Sequence, residues 1–465
     1  MTIHNTPTST HRTIILPNHP ALRTMGRIDD TDPTQPIWVY PYTQTTFRFT
    51  GSALTATLIN YWNYGDSHLG VIIDGVQTKV RIPSGFTQTN GTPDDSTEAT
   101  TLAAPAESAP YTPSPITVIL AENLPDIEHE AVIFKRQDGQ HYVQLLNFGL
   151  DDGAQILPPL APEPTRRIEV FGDSVSCGER NEAALYVGKP DPEVDLSGYS
   201  NAWQSYAAIT ARNLGAALHD TSQGGASLID GIGWFAGPDY VGQESIWDRV
   251  EYNPTLGETK PWDFRRFTPQ VAIVAIGQND SHPVDFMAQD YDGEQAVHWR
   301  ARYVDFLRAI HTQYPQATIV CITTLLMHDP AWDRAIDEAV QTFNATLGED
   351  QSARVPFGAT DIAADDEVSS STASVSADTI AEITTDVENA AKTALPTDMN
   401  HHDDTDHTEH TDSADAGTTR TVAHHFLFSR NGAATPGHPR VAEHEEMARE
   451  LTAFIESLGK SIWEA

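Results

Sequence analysis

The stretch RRIEVFGDSVSCGE, residues 166–179, decides the fold of the larger part of the chain. Its first seven residues carry an apolar run that predicts a short buried strand, and Gly172-Asp173-Ser174 predicts a turn directly after it. Open sheets of parallel strands place their functional side chains beyond the carboxyl ends of the strands. A serine there can expose its hydroxyl to a cleft and offer its own N–H to an oxyanion, although an ordinary turn of this composition would only cap the next helix.

The chain after this stretch alternates between strands and helices. Two further apolar runs, VAIVAIG (271–277) and ATIVCITTLL (317–326), predict buried strands, and TVAHHFLFS (421–429) predicts the last one. Helical patterns between and after these runs lie at 205–215, 298–314, 332–347 and 441–459. Such alternation predicts parallel βαβ units with helices on both faces of one sheet.

The chain before residue 166 has an all-β pattern. Short segments rich in β-branched and aromatic residues, separated by Gly, Pro, Asn and Asp, lie at 45–51, 53–62, 69–76, 116–121, 129–136 and 141–149. Strands at this spacing predict a β-sandwich or jelly roll over residues 1–160. A Thr/Pro/Ser/Ala-rich stretch at 86–114 predicts a long loop within it, and the Pro-rich stretch 156–165 predicts an extended linker.

One acidic segment interrupts the second part. Residues 346–420 hold 17 of the 65 acidic side chains but only three of the 28 basic ones. Such a composition cannot bury enough apolar surface to offset the entropy of ordering it. We therefore assign 161–347 and 421–465 to one domain and expect 348–420 to be a disordered insertion. Histidines that alternate with Asp and Glu in it favour a solvated tract over a metal site. They are His401, His402, His407 and His410.

Charge and cysteine content exclude several classes of function. The formal net charge of −37 and the pI near 4.6 oppose general binding to nucleic acid or to anionic membranes. No apolar run approaches the roughly 20 residues that span a bilayer, and the first residues lack the pattern of a secretion signal. We therefore expect a soluble, cytoplasmic protein. Cys177 and Cys321 are too few for a disulfide framework and are not spaced for zinc, and Cys177 is expected to be a packed apolar side chain.

Three further polar turns follow predicted strands. Asp220-Thr221-Ser222-Gln223-Gly224-Gly225 offers glycine N–H groups, Gly277-Gln278-Asn279-Asp280 offers a side-chain amide, and Gly437-His438-Pro439 offers an imidazole. Each block taken alone is compatible with a simple turn. Ser, Gly, Asn and His in this order, each beyond a strand, are unlikely to arise by chance.

With these four blocks the sequence resembles the SGNH (GDSL-type) hydrolases. The β-rich half ahead of the GDSVSCG block (172–178) is similar to carbohydrate esterase family two, whose members place a jelly roll before the SGNH domain. The resemblance implies a β-sandwich followed by a flavodoxin-like α/β/α domain. It also implies hydrolysis of short O-acyl groups, above all O-acetyl groups of carbohydrates, through an acyl-serine intermediate and without a metal or organic cofactor.

Carried over by position, the resemblance makes Ser174 the nucleophile and His438 the general base. The oxyanion donors would be the N–H groups of Ser174 and Gly225 and the side chain of Asn279, with Gly224 as the alternative for the middle donor. A serine hydroxyl becomes an effective nucleophile only when a neighbouring imidazole accepts its proton. Each prearranged donor to the developing oxyanion is typically worth about 10²–10³ in rate.

The sequence departs from the family pattern three residues before the histidine. Most SGNH enzymes have Asp there, whereas this chain has Thr435. Some members of carbohydrate esterase family two work with a Ser–His dyad in which a backbone carbonyl orients the imidazole, and the resemblance to that family implies the same arrangement here. A distant Asp or Glu could also do so, but the sequence does not indicate one.

Several residues are weaker candidates for substrate binding. Trp203, Trp234 and Trp262 lie in predicted loops that should surround the cleft, where an aromatic face can stack on a sugar ring, although packing is the commoner role. His282 could line the acyl pocket, and Asp173 adjoins the nucleophile.

Two other functions remain open. A lipid or thioester hydrolase would share all four blocks, but it should prefer long acyl chains, and no extended apolar lid is evident. A catalytically degenerate carbohydrate-binding protein would fit the missing acid, but the intact Ser, Gly, Asn and His oppose it. The expected partner is a small-molecule or oligosaccharide substrate that carries acetyl groups.

Overall fold

The computed structural model describes residues 12–62, 65–83, 113–324, 328–348, 357–358, 421–431 and 434–464. Twelve strands precede residue 160 within these ranges. They are β1 (Arg12–Ile15), β2 (Arg23–Met25), β3 (Ile28–Asp29), β4 (Ile37–Trp38), β5 (Gln44–Gly51), β6 (Leu54–Trp62), β7 (Ser67–Ile73), β8 (Val76–Ile82), β9 (Ile116–Ala121), β10 (Ile127–Lys135), β11 (His141–Asp151) and β12 (Ile156–Leu157).

These strands form two antiparallel sheets that pack face to face. One has the order β3-β4-β11-β6-β9 with β1 also pairing with β11, and the other has the order β12-β5-β10-β7-β8 with β2 also pairing with β5. Alternation along each strand explains the sandwich: in β5, Phe47 and Phe49 are fully buried between the sheets. The predicted β-sandwich is therefore confirmed. Its six predicted strands are all present, and the predicted loop 86–114 lies almost entirely outside the described residues.

The remaining strands and the helices form the second part. Its strands are β13 (Arg166–Gly172), β14 (Ala216–Ser222), β15 (Arg249–Glu251), β16 (Lys260–Pro261), β17 (Val271–Ala275), β18 (Thr318–Ile322) and β19 (Ala423–Phe426). Its helices are α1 (Tyr206–Asn213), α2 (Gln243–Ile246), α3 (Phe286–Gln289), α4 (Glu294–Gln313), α5 (Pro330–Ala345) and α6 (Val441–Ser457).

Five of these strands form one parallel sheet in the order β14-β13-β17-β18-β19. Helices α4 and α5 cover one face through side chains such as Trp299 and Ile336, and α1 and α6 cover the other through Ala208 and Leu451. This is the flavodoxin-like strand order, and its crevice lies where the connections leave in opposite directions, beside β13. The predicted α/β/α architecture is confirmed.

Two predicted boundaries fall differently in the structure. Strand β12 begins in the predicted linker, where Ile156 pairs with Phe49 and extends the sandwich. Phe357 lies inside the predicted insertion but is buried, with its ring stacked on Phe306 at a centroid distance of 4.7 Å. Residues 359–420, with the histidine tract, lie outside the described residues.

Buried polar contacts join the sandwich to the α/β part. Arg27 donates from Nε to Glu169 at 2.8 Å, and both side chains are completely buried. The Tyr142 hydroxyl accepts hydrogen bonds from the N–H groups of Tyr252 and Asn253, each at 2.8 Å. Because a buried polar group without a partner costs free energy, these contacts fix the relative position of the two parts. Among the described helices, none is long and apolar enough to cross a membrane.

Candidate active site

The parallel sheet brings three of the predicted blocks to one edge. The carboxyl ends of β14, β13 and β17 are adjacent, because Gly172 pairs with Ser222 on one side and with Ala275 on the other. Ser174, Gly225 and Asn279 therefore follow neighbouring strands. This juxtaposition is what the sequence predicted.

Ser174 lies in a tight turn directly after β13. The Asp173 carbonyl accepts a hydrogen bond from Cys177 N–H at 3.0 Å, and the Ser174 carbonyl accepts one from Glu179 N–H at 2.9 Å. These two hydrogen bonds hold the backbone on either side of the serine in place. Ser174 is 8% exposed, so only a small part of the residue reaches solvent.

The Asp173 side chain is directed into the protein. Its carboxylate accepts hydrogen bonds from Val175 N–H at 3.0 Å, from the Gln278 amide, and from Asn279 Nδ2 at 3.2 Å. Burial raises the pKa of Asp173 to about 7. The prediction that Asp173 binds substrate is wrong, because the side chain is fully buried and joins the serine turn to the Asn279 loop.

The geometry distinguishes the two glycines that were candidates for the middle oxyanion donor. Gly224 N–H donates to Asp138 Oδ2 at 2.9 Å, so it already has an acceptor. Within the described residues no acceptor is assigned to the N–H groups of Ser174 or Gly225. Gly225 is therefore the better-placed donor, and its role in catalysis stays a prediction.

Asn279 lies between the serine turn and the glycine loop. Its Nδ2 atom donates to the carbonyl of Ala226 at 2.9 Å and to Asp173 Oδ2 at 3.2 Å. These contacts hold the side-chain amide at the edge of the sheet, next to the serine turn. The placement is compatible with the predicted donor role of Asn279.

His438 is oriented by a carboxylate. Its Nδ1 donates to Asp191 Oδ2 at 2.6 Å, and the second oxygen of Asp191 accepts from Arg440. Arg180 Nη1 also contacts Asp191 Oδ2, at 3.2 Å. Although burial opposes ionisation, the hydrogen bonds from His438 and Arg440 hold the pKa of Asp191 well below its usual range. The expectation of a backbone carbonyl in this position is wrong.

A loop far away in sequence supplies this carboxylate. Asp191 and His438 are separated by 247 residues. Thr435, which stands where the family pattern has Asp, accepts a hydrogen bond on Oγ1 from Gly188 N–H at 3.0 Å and so holds the loop that carries Asp191. The sequence signal for Asp191 is weak, because this loop has neither periodicity nor a motif.

The other ring nitrogen of His438 faces the serine turn. His438 Nε2 lies 3.9 Å from Glu179 Oε2. A β-carbon placed on Gly224 would lie 2.8 Å from that same Glu179 oxygen and 3.7 Å from Ser174 Cβ. The Glu179 carboxylate therefore lies near both His438 and Gly224, and Gly224 in turn lies next to Ser174.

Comparison with known families agrees with this geometry. Residues 170–382 match the GDSL-like Lipase/Acylhydrolase family, and residues 24–101 match the Carbohydrate esterase 2 N-terminal family. In this chain a GDSL-like domain follows a carbohydrate esterase 2 N-terminal domain. The resemblance seen in the four sequence blocks is thus confirmed.

Individual relatives extend the comparison. Cellulase/esterase CelE of Acetivibrio thermocellus is 28% identical over 305 residues, which cover 65% of this chain but only 31% of CelE. An acetylxylan esterase / glucomannan deacetylase of Cellvibrio japonicus is 29% identical over 320 residues, or 67% of this chain and 73% of that protein. A family two carbohydrate esterase from Clostridium thermocellum, solved in complex with cellohexaose, has a TM-score of 0.57 at 20% identity and covers 94% of this chain and 98% of that one.

An aromatic pair lies beside the glycine loop of the GDSL-like domain. The rings of Trp234 and His282 stack with centroids 3.4 Å apart, and Trp234 N–H donates to the carbonyl of Gly225 at 2.9 Å. Trp234 is 62% exposed. The structure therefore brings these two predicted residues together next to the candidate oxyanion donor, as an exposed aromatic face.

The other candidates are structural. Trp203 packs between Tyr42 and Phe134 at centroid distances of 5.4 and 5.3 Å, so it fills the junction with the sandwich. Trp262 is buried with Ala217 of β14, near the amino ends of the strands. The prediction that these two tryptophans surround the cleft is wrong. Cys177 is buried, which raises the pKa of its thiol and agrees with a packed side chain.

Substitution of Gly437 tests the hydrogen bond between His438 and Asp191. Its φ is +90°, and a β-carbon there would lie 3.2 Å from Asp191 Oδ2. We expect Gly437→Ala to lower kcat/KM at least tenfold, because both the backbone cost of about 1–2 kcal/mol and the crowding displace the carboxylate from His438. The matched control is Gly459→Ala, where φ is +92° and nothing lies within 4 Å. Equal thermal destabilisation with unchanged kcat/KM in both variants would contradict the idea that Gly437 keeps space for the Asp191 carboxylate beside His438.

Proposed function

We propose that this protein is a serine esterase that hydrolyses short O-acyl groups, chiefly O-acetyl groups, from carbohydrates through an acyl-serine intermediate. The observation that carries the proposal is the hydrogen bond of 2.6 Å between His438 Nδ1 and Asp191, beside a serine at the carboxyl edge of the sheet. A carboxylate in this position fixes the tautomer of the imidazole. The Nε2 lone pair is then directed away from Asp191 and is free to accept a proton.

The reaction proceeds in two halves. His438 Nε2 accepts the proton of the Ser174 hydroxyl while Oγ attacks the ester carbonyl, and the resulting oxyanion is bound by the Ser174 and Gly225 N–H groups and by Asn279. The intermediate then collapses: the bond to the sugar oxygen breaks, and His438 returns its proton to that oxygen. Water attacks the acyl-serine in the same way, with His438 as base, and releases the carboxylic acid and free Ser174.

The carbohydrate part of the proposal rests on the relatives and on Trp234. The relatives' names include acetylxylan esterase and glucomannan deacetylase, and one related structure holds cellohexaose. The Trp234 side chain stacks on His282 and is largely exposed, so its ring offers a flat apolar surface on which a sugar ring can lie. An acetylated oligosaccharide is therefore the substrate class that we propose.

Removal of the exposed ring tests this part. We expect Trp234→Ala to raise KM for acetylated oligosaccharides about tenfold, or about 1.4 kcal/mol, and to leave kcat/KM for p-nitrophenyl acetate within about threefold. The matched control is Trp463→Ala, because Trp463 packs beneath Arg166 at the opposite end of β13. An equal loss on both substrates would argue against a sugar platform.

The acyl preference is tested with p-nitrophenyl acetate, butyrate and octanoate. The proposal predicts the highest kcat/KM for acetate. A preference for octanoate would favour the lipid hydrolase alternative. Folded protein without turnover of any ester would favour a degenerate carbohydrate-binding protein.

We also propose a cytoplasmic location, on the strength of the sequence pattern alone. Cell fractionation of the producing organism with an antibody to this protein tests it. Recovery in the medium or in the envelope fraction would contradict it.

A further inference from the structure

The sandwich contributes a charged side chain to the glycine loop of the GDSL-like domain. Asp138 lies in the turn between β10 and β11 and is nearly completely buried. Its Oδ2 atom accepts hydrogen bonds from Gly224 N–H at 2.9 Å and from Gln223 Nε2 at 2.8 Å. Its Oδ1 atom accepts one from Gln140 N–H at 3.1 Å. A residue of the N-terminal domain is thus bonded to the loop that holds the candidate oxyanion donor.

The contacts of Asp138 and Gln223 with Gly224 together form a clamp on the glycine loop. Gln223 Nε2 also donates to the carbonyl of Gly224 at 2.9 Å, and its Oε1 accepts from the Tyr252 hydroxyl at 2.7 Å. The side-chain amide of Gln223 is therefore fixed at both of its ends. Gly224 is held on its N–H by Asp138 and on its carbonyl by Gln223.

The planarity of the peptide bond links this clamp to the oxyanion site. The carbonyl of Gly224 and the N–H of Gly225 belong to one planar peptide unit and point in opposite directions. Fixing the Gly224 carbonyl therefore fixes the direction of the Gly225 N–H. Gly225, whose φ is +79°, has no side chain that could fix this direction.

The turn that carries Asp138 is itself rigid. Lys135 is buried and donates from Nζ to the carbonyl oxygens of Gln137, at 2.6 Å, and of Asp138. Gly139 N–H donates to the Tyr252 hydroxyl at 3.2 Å, and Asn253 Nδ2 donates to the Gly139 carbonyl at 2.9 Å. Contacts from both domains thus hold the carboxylate in place.

We propose that Asp138 is a positioning residue for the esterase reaction: through Gly224 and Gln223 it aims the Gly225 N–H at the oxyanion, so the N-terminal sandwich takes part in catalysis. This inference rests on the proposed function. Asp138 itself does not touch the reacting atoms. The sandwich is therefore part of the catalytic unit.

The experiment compares Asp138→Ala and Asp138→Asn with wild type on p-nitrophenyl acetate. Each rate is normalised to the number of active sites titrated with a fluorophosphonate. We expect kcat per active site to fall about 10- to 100-fold in Asp138→Ala with KM within about threefold, because the middle donor is misdirected rather than lost. Asp138→Asn keeps one oxygen acceptor for Gly224 and should recover part of that loss.

A boronic acid that forms a tetrahedral anion on the serine gives a second readout. Its affinity should fall in parallel with kcat, which a merely structural role of Asp138 would not cause. The matched control is Asp151→Ala, at the far end of β11, where the carboxylate also accepts backbone hydrogen bonds, from Ser52 and Ala53. It should lower the melting temperature and leave kcat per active site unchanged.

The outcomes separate this inference from the proposed function. Active wild type with Asp138→Ala within twofold in kcat and in boronate affinity would overturn the inference alone. Wild type that is folded but inactive would overturn both. If Asp138→Ala fails to fold, the test uses Asp138→Asn and Tyr252→Phe. Tyr252→Phe removes the hydroxyl that donates to Gln223 Oε1. Unchanged kcat in both variants would again overturn the inference.

Discussion

Ser174→Ala is expected to lower kcat for p-nitrophenyl acetate at least about 10⁴-fold. Ser174 Oγ is the protein atom that bonds to the acyl group in the proposed reaction, so no neighbouring side chain can replace it. The variant should keep the wild-type melting temperature, because the hydroxyl has no internal hydrogen-bond partner assigned among the described residues. Stopped assays at high enzyme concentration measure the residual rate.

The control for this substitution lies two residues further along. Ser176 is buried, and its hydroxyl is bonded to Tyr206 at 2.7 Å. Ser176→Ala should lower stability by about 1 kcal/mol and keep kcat within a few fold. Substantial activity in Ser174→Ala, abolished only in Ser176→Ala, would show that the nucleophile has been assigned to the wrong serine.

Asp191→Asn is expected to lower kcat about 10³- to 10⁴-fold with little change in KM. An amide in place of the carboxylate can donate to Nδ1 and so stabilise the tautomer in which Nε2 carries the proton and cannot act as base. It also removes the negative charge that stabilises the imidazolium formed in the reaction. The measurement is the steady-state rate on p-nitrophenyl acetate, divided by the number of titratable active sites.

The same substitution at Asp195 provides a matched control. Asp195 lies in the same loop and accepts a hydrogen bond from Ser197 N–H at 2.8 Å, and no contact with His438 is assigned to it. Asp195→Asn should stay within about twofold of wild type. If Asp191→Asn keeps a kcat near that of wild type, the enzyme works with a Ser–His dyad, and the carboxylate has only a structural role.

The parts of the site that follow strands could be predicted from the sequence. A buried parallel strand is a short apolar run, and the turn beyond it lies at the functional edge of the sheet. Ser174, Gly225 and Asn279 each lie just beyond a strand, which local patterns indicated. The resemblance to the SGNH hydrolases then assigned the roles of these residues and of His438.

The features that the sequence did not predict, or predicted wrongly, depend on contacts between distant segments. Asp191 lies in an irregular loop that only tertiary packing carries to His438, and nothing local distinguishes it from other acidic residues. Trp203 and Trp262 were predicted at the cleft because they lie in loops, but Trp203 packs at the domain junction and Trp262 is buried at the other end of the sheet. Asp138 belongs to another domain altogether, and only the junction between the domains shows its contact with Gly224.

The most direct test of the central claim is release of acetate from acetylated xylo- and cello-oligosaccharides by purified wild-type protein and by Ser174→Ala. We expect steady release of free acetate by wild type, together with deacetylated oligosaccharide in equal amount, and no release above background by Ser174→Ala. Release that persists in Ser174→Ala, or folded wild type that releases no acetate from these substrates, would contradict it.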